Sequence, residues 1–141
     1  MKHYLIKHYL FLLSIVLTTT GICQAQETKY QLSSHILDIT SGQPAPNVKI
    51  TLSKQDSKGN WTMLEEKFTD DNGRIKDFLK QDGKTKTGIY KMTYHVSPYF
   101  AKKGQQTFYP FIEVVFELKD EQHYHVPITL SPFGYSTYRG S

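Results

Sequence analysis

Four places in a chain of 141 residues carry side chains suited to proton transfer or to holding negative charge. They are His35, Arg74, His125, and the closing run Tyr138-Arg139-Gly140-Ser141. Taken singly, each has a plain structural reading: a lone histidine on a strand is usually a surface or half-buried residue, and an arginine after Asp-Asn-Gly is a turn exit. Taken together they suit hydrolysis. A histidine titrating near ~6.5 can take a proton from water, while a guanidinium can hold the oxyanion that water attack creates. Two other chemistries fit less well. His123 and His125 stand two apart and could chelate a metal with His35, but no cysteine or clear acidic ligand completes the set. Ser136 or Ser141 beside His125 would offer a nucleophile, but there is no Gly-x-Ser-x-Gly elbow, and no acid is placed to orient the histidine. Water is the better nucleophile.

The elements that must position these groups are short and mostly extended. His123 to Leu130 alternates, with Tyr124, Val126, Ile128 and Leu130 apolar, so both histidines project from the face away from the core. Ser131-Pro132-Phe133-Gly134 is a turn, which sends the tail back antiparallel beside the histidines. A terminus ordinarily drifts towards small, soluble residues, and this one does not. His35 lies in a first strand, residues 30 to 39, whose imperfect alternation implies that both faces are covered. Asn47 to Ser53 and Trp61 to Thr69 are two further strands, and the three are expected to form a meander. Thr69-Asp70-Asp71-Asn72-Gly73 is a turn that delivers Arg74 to the head of a segment ending near Leu79. A strand over residues 90 to 96 precedes Ser97-Pro98, which reads as an N-cap and a first-turn proline. One short helix therefore runs to Gly104. Ile112 to Leu118 alternates cleanly. Seven or eight strands with frequent turn signals and one helix make an all-β, two-sheet sandwich.

The whole chain narrows the partners. Lys2 and Lys7 precede an apolar run from Tyr9 to Leu17 and a small or polar stretch ending at Ala25, the pattern of a secretory signal peptide over residues 1–25. The expected product is an exported, periplasmic domain of residues 26–141, with no membrane association after cleavage. Cys23, the single cysteine, also invites a lipoprotein reading, against which Ile22 is bulky where a small residue normally precedes a lipidated cysteine. Cleavage after Ala25 removes that cysteine and with it any disulfide or thiol chemistry. Losing Lys2 and Lys7 lowers the formal charge of +4 to +2. That is too little, and too scattered, for nucleic-acid binding, so the partner should be small.

Four separated blocks together resemble a known family. They are Leu32-Ser33-Ser34-His35-Ile36-Leu37-Asp38 with Thr40-Ser41-Gly42-Gln43-Pro44-Ala45, then Thr69-Asp70-Asp71-Asn72-Gly73-Arg74-Ile75, then His123-Tyr124-His125-Val126-Pro127-Ile128, and Ser136-Thr137-Tyr138-Arg139-Gly140-Ser141. The chain is similar to the 5-hydroxyisourate hydrolases, the transthyretin-like proteins. The terminal Tyr-Arg-Gly-Ser is the most specific block, because hormone-carrying transthyretins lack it. The resemblance implies a transthyretin-like sandwich of two four-stranded sheets with a short helix. It implies a homotetramer, a dimer of dimers, with active sites in clefts between dimers. The implied reaction is hydrolytic ring opening of 5-hydroxyisourate in urate degradation, with no cofactor or metal. By motif, His35, Arg74 and His125 are the catalytic residues, and Tyr138, Arg139, Gly140 and Ser141 join His35 and Arg74 in binding substrate. Asn72 stands where the family commonly has aspartate, and Phe111 where glutamate is common. The rival reading is a non-catalytic, transthyretin-like binding protein, whose cleft would be lined by aliphatic and hydroxyl groups rather than histidines and an arginine.

Overall fold

Short alternating segments punctuated by Gly, Asp and Asn fold as strands because one side of each buries its apolar set while the turns reverse the chain. A computed structural model describes residues 28–140. The leader expected over residues 1–25 and the last residue, Ser141, lie outside the described residues. Among the described residues nine strands and one helix follow in the order β1 (Tyr30–Asp38), β2 (Gln43–Pro44), β3 (Lys49–Gln55), β4 (Trp61–Phe68), β5 (Arg74–Lys80), β6 (Gly88–Tyr94), α1 (Ser97–Lys102), β7 (Ile112–Leu118), β8 (Tyr124–Ser131) and β9 (Gly134–Thr137).

The strands form two sheets, as the patterning predicts. One runs β4-β3-β6-β7 and is antiparallel throughout. The other runs β2-β1-β8-β9, with β5 also paired to β1. Here β1 and β8 run parallel, and the remaining pairs are antiparallel. This sheet has five strands rather than four because two partners share one edge of β1. β5 covers it from Tyr30 to His35, and the two-residue β2 covers Leu37 and Asp38.

β1 does not join β3 and β4 in a meander. Gln31, Leu32, Ser33 and Ser34 are all buried, so β1 is a central strand with partners on both edges. The turn-rich connection after it carries the chain across to the other sheet. Period-two patterning shows that both faces are covered but does not name the neighbours.

The inner faces meet in a continuous apolar core that includes Leu32, Ile36, Ile50, Leu52, Phe78, Met92, Leu118 and Ile128. Tyr94 is wholly buried in it, and its hydroxyl meets Ser34 Oγ at 3.0 Å and donates to the Val126 carbonyl at 3.3 Å. Ser34 Oγ also donates to that carbonyl at 2.8 Å. Burial pushes the Tyr94 phenol far up, so it stays neutral and ties β1, β6 and β8 together directly behind the histidines.

The helix begins one residue earlier than Ser97-Pro98 suggests. Val96 already has helical backbone angles, its carbonyl accepts from Phe100 N at 3.2 Å, and no side chain caps the end. Ser97 is therefore inside the helix, while Pro98 keeps its first-turn place, where its missing N–H costs nothing. The helix docks through buried Phe100 and through Asp38 at the end of β1. The Asp38 carboxylate, fully buried, accepts from Tyr99 Oη at 2.9 Å and from Lys103 Nζ at 2.6 Å.

Candidate active site

Alternation along β1 turns Leu32, Ser34 and Ile36 into the core and leaves Ser33 and His35 on the outer face. Along β8, Tyr124, Val126 and Ile128 are buried, and His125 is on the outer face with His123 just ahead of it. The parallel register sets Ser33 beside His125 and His35 beside Pro127. On the other edge of β1, His35 is the cross-strand partner of Arg74 at the start of β5. Three neighbouring strands, β5, β1 and β8, thus carry Arg74, His35 and His125 on one sheet.

Arg74 is placed by its turn. Asp70 Oδ1 accepts from the backbone N–H of Asn72 at 2.9 Å and of Arg74 at 2.8 Å, and the Asp70 carbonyl accepts from Gly73 N at 2.8 Å. Asn72 serves this turn through its backbone, so the family's usual aspartate is not needed there. Gly73 adopts φ +70, and a Cβ on it would stand 2.6 Å from the Ile36 carbonyl oxygen. Only glycine fits both demands. The Gly73 carbonyl in turn accepts from Ile36 N at 2.9 Å, which staples the turn to the strand that carries His35.

Electrostatics favour the neutral form of both imidazoles. His35 is held below the ordinary histidine value by burial first and then by the Arg74 charge, with a hydrogen bond to the Asn72 backbone and the Asp70 charge opposing. His125 is lowered by burial, then by Arg74, His35 and His123, against a hydrogen bond to the Ser33 backbone. A neutral imidazole beside a permanent cation can accept a proton from water while the cation receives negative charge. Among the described residues no three His, Cys, Asp or Glu side chains gather to hold a metal ion.

His125 is held from two sides. Its Nδ1 lies 2.9 Å from Ser33 Oγ, which also meets His123 Nε2 at 2.8 Å, and His123 Nδ1 lies 2.9 Å from the Tyr30 carbonyl oxygen. From the other side comes the tail. β9 pairs antiparallel with β8, as expected, and beyond it Gly140 bridges to His125, its N–H donating to the His125 carbonyl at 2.9 Å. A Cβ on Gly140 would stand 2.6 Å from His125 Cδ2 and 3.1 Å from both Cβ and Cγ. The glycine is the space into which the imidazole fits.

The remaining expected residues divide. Tyr138 is 63% exposed, next to the bridge. Arg139 lies with its guanidinium carbon 4.7 Å from the centre of the Tyr124 ring, on the core-side face of β8 opposite His125. It lines a groove of about 390 Å³ with Tyr138, Phe116 and Val126 rather than standing among the histidines. Ser136 pairs with Thr129, four positions along β8 from His125, so it is not the serine that the histidine meets. That serine is Ser33. It is 8% exposed, with its hydroxyl between two imidazoles, which suits support and not attack. Its sequence signal is parity: it lies two residues before His35 and shares its face.

Comparison with known proteins identifies the family. Residues 32–140 match the HIUase/Transthyretin family. The chain is 44% identical over 134 residues to a probable 5-hydroxyisourate hydrolase of Caenorhabditis elegans, covering 93% of this chain and 98% of that protein. Among solved structures it is similar to the 5-hydroxyisourate hydrolase of Klebsiella pneumoniae, at TM-score 0.67 and 34% identity, over 82% of this chain and 100% of that one. It is also similar to the transthyretin of Sparus aurata, at TM-score 0.73 and 29% identity, over 79% and 97%. The chain belongs to the HIUase/Transthyretin family, as one of its hydrolases.

Proposed function

We propose that this chain hydrolyses 5-hydroxyisourate, opening the six-membered ring to the ureido-imidazoline carboxylate, with His125 as general base and Arg74 as oxyanion holder. The observation that carries the reading is the register that sets His35 against Arg74 on one edge of β1 and Ser33 against His125 on the other. His125 Nε2 takes a proton from water as the oxygen adds to the ring carbonyl carbon. The carbonyl electrons move to oxygen, opposite the Arg74 guanidinium. When the tetrahedral species collapses, the C–N bond breaks and the leaving nitrogen takes the proton back from His125, so no net proton is consumed by the base. His35, neutral and next to Arg74, hydrogen-bonds substrate. Tyr138, exposed beside the Gly140 bridge, would orient the ring from the groove it lines with Arg139, and Gly140 keeps the His125 ring in place. Arg139 and Ser141 belong to the same tail.

The outer face that bears these groups is open in one protomer, and a second copy would supply the opposite wall. Edge strands β7 and β9, together with the 72% exposed Phe133, support assembly as a tetramer, a dimer of dimers. We also propose that residues 1–25 are lost on export to the periplasm and that the mature domain of residues 26–141 carries out this hydrolytic step. A pure carrier would leave unexplained why two neutral imidazoles and a guanidinium share one polar face. The test is direct: purified protein should speed the loss of the transient ultraviolet absorbance left after urate oxidase has acted on urate. Loss at the spontaneous rate would contradict the assignment.

A further inference from the structure

We propose that Ser33 and His123 are positioning residues that fix the tautomer of His125, holding its proton on Nδ1 and leaving Nε2 as the bare acceptor that catalysis requires. The inference rests on the hydrolase reading above for its kinetic consequence, but the tautomer itself follows from the hydrogen-bond chain alone. One end of that chain is unambiguous. The Tyr30 carbonyl oxygen can only accept, so His123 Nδ1, 2.9 Å away, carries a hydrogen. In a neutral ring the other nitrogen, Nε2, is then a lone pair. Ser33 Oγ, at 2.8 Å, must donate its single proton to it. That donation settles the next contact. Having spent its hydrogen on His123, Ser33 Oγ can only accept from His125 Nδ1 at 2.9 Å. The neutral His125 ring therefore carries its hydrogen on Nδ1 and exposes the Nε2 lone pair.

Ser33 and His125 are held by the fold itself, and the exposed His123 is held by its bonds to Ser33 and the Tyr30 carbonyl. Ser33 is buried and paired with His125 in the parallel ladder, while its neighbour Ser34 is tied to Val126 and Tyr94. Gly140 closes the other side of the ring, so the imidazole cannot swing off the serine without striking the tail. In enzymes that use histidine as a base, the group bonded to the far nitrogen sets which nitrogen works. Here a serine and a second histidine, ending on a carbonyl, take the place that a carboxylate often fills. The first histidine of the His-Tyr-His run, His123, thereby acquires a role distinct from that of His125. It is not a catalytic residue, because it acts through Ser33.

Histidine-selective ¹⁵N NMR of the full mature chain at about pH 8, where ordinary imidazoles are neutral, reads the tautomer without reference to activity. Wild-type His125 should show a protonated Nδ1 and an unprotonated Nε2. Ser33→Ala removes the hydroxyl acceptor and leaves the ring only the Ser33 backbone, and His123→Ala frees the Ser33 hydroxyl to donate to His125. Both should move the His125 proton to Nε2 in a large fraction of molecules and lower kcat ~10²-fold with KM little changed. Ser33→Thr, which keeps a hydroxyl, should restore the tautomer and most of kcat. Circular dichroism and the thermal midpoint exclude simple unfolding. The proposal is overturned if Ser33→Ala and His123→Ala both keep the wild-type His125 tautomer, or if kcat falls equally in Ser33→Thr. Its failure is separable from that of the hydrolase reading. An inactive wild type showing the Nδ1–H tautomer would sink the function and leave the relay standing, whereas an active wild type with an unmoved tautomer in the variants would do the reverse.

Discussion

At the scale of single residues, the proposed site sets two histidines whose neutral form is favoured beside an arginine. The pH dependence follows from the direction of the shifts. His35 and His125 are both held below the ordinary value, by burial and then by Arg74. Activity that needs a neutral base should therefore be flat around neutral pH and fall only as pH drops through these lowered values, below ~6.5. Arg74→Ala removes the second cause, which makes protonation easier. In NMR titrations both histidines should then protonate at higher pH than in wild type, the acid limb of any residual activity should move up with them, and turnover should drop ~10²- to 10³-fold. An unchanged His125 titration in this variant would disconnect the arginine from the base. Gly140 gives a second residue-scale prediction, because its nearest prospective contact is the ring of His125, the base we propose. Gly140→Ala pushes His125 off its seat, and kcat should fall at least ~10-fold, since small misplacements of reacting groups are costly. The β-rich circular dichroism should not change. Full activity in Gly140→Ala would show that the tail does not bear on the base.

At the scale of elements, some strands were legible from alternation alone and others depended on partners that alternation does not name. β7 is found at Ile112–Leu118, where Ile112, Val114, Phe116 and Leu118 repeat strictly. The antiparallel return of the tail was legible from the turn residues before Gly134. The place of β1 was not, because a strand covered on both faces shows its burial but not its neighbours. Ser33 was missed for the same reason. It is a small polar residue whose meaning comes from a parallel pairing with His125, 92 positions later in the chain. Arg139 was expected beside the histidines, but the extended chain alternates there, so the neighbour of Gly140 faces the Tyr124 ring instead. These placements make the tail a testable element. Deleting residues 138–141 spares β9, which ends at Thr137, and removes little core, so stability should fall by at most a few kcal/mol. Catalysis should fall ~10²-fold or more, because the Gly140 bridge and Tyr138 are lost together. A C-terminal affinity tag should also impair turnover, while a tag placed after the leader should not. Equal activity in the truncated, tagged and native forms would reduce Tyr138-Arg139-Gly140-Ser141 to an ordinary terminus.

At the scale of the whole molecule, a sandwich whose outer sheet face carries the reactive groups needs something to cover that face, since water-exposed charges are screened and weakly directive. A second copy is the partner we propose, and sedimentation should show a tetramer. A stable, fully active monomer would mean that one protomer builds the whole site. The central claim is narrower than assembly: β5, β1 and β8 bring Arg74, His35 and His125 together to hydrolyse a cyclic amide. The most direct measurement follows 5-hydroxyisourate, made in place by urate oxidase, through the decay of its ultraviolet absorbance with wild-type protein and with His125→Asn, His35→Asn and Arg74→Ala. The account predicts that wild type accelerates the decay well beyond the spontaneous rate and that each variant loses ~10²-fold or more of that acceleration while keeping its fold. A wild type no faster than buffer, or three variants as fast as wild type, would contradict it.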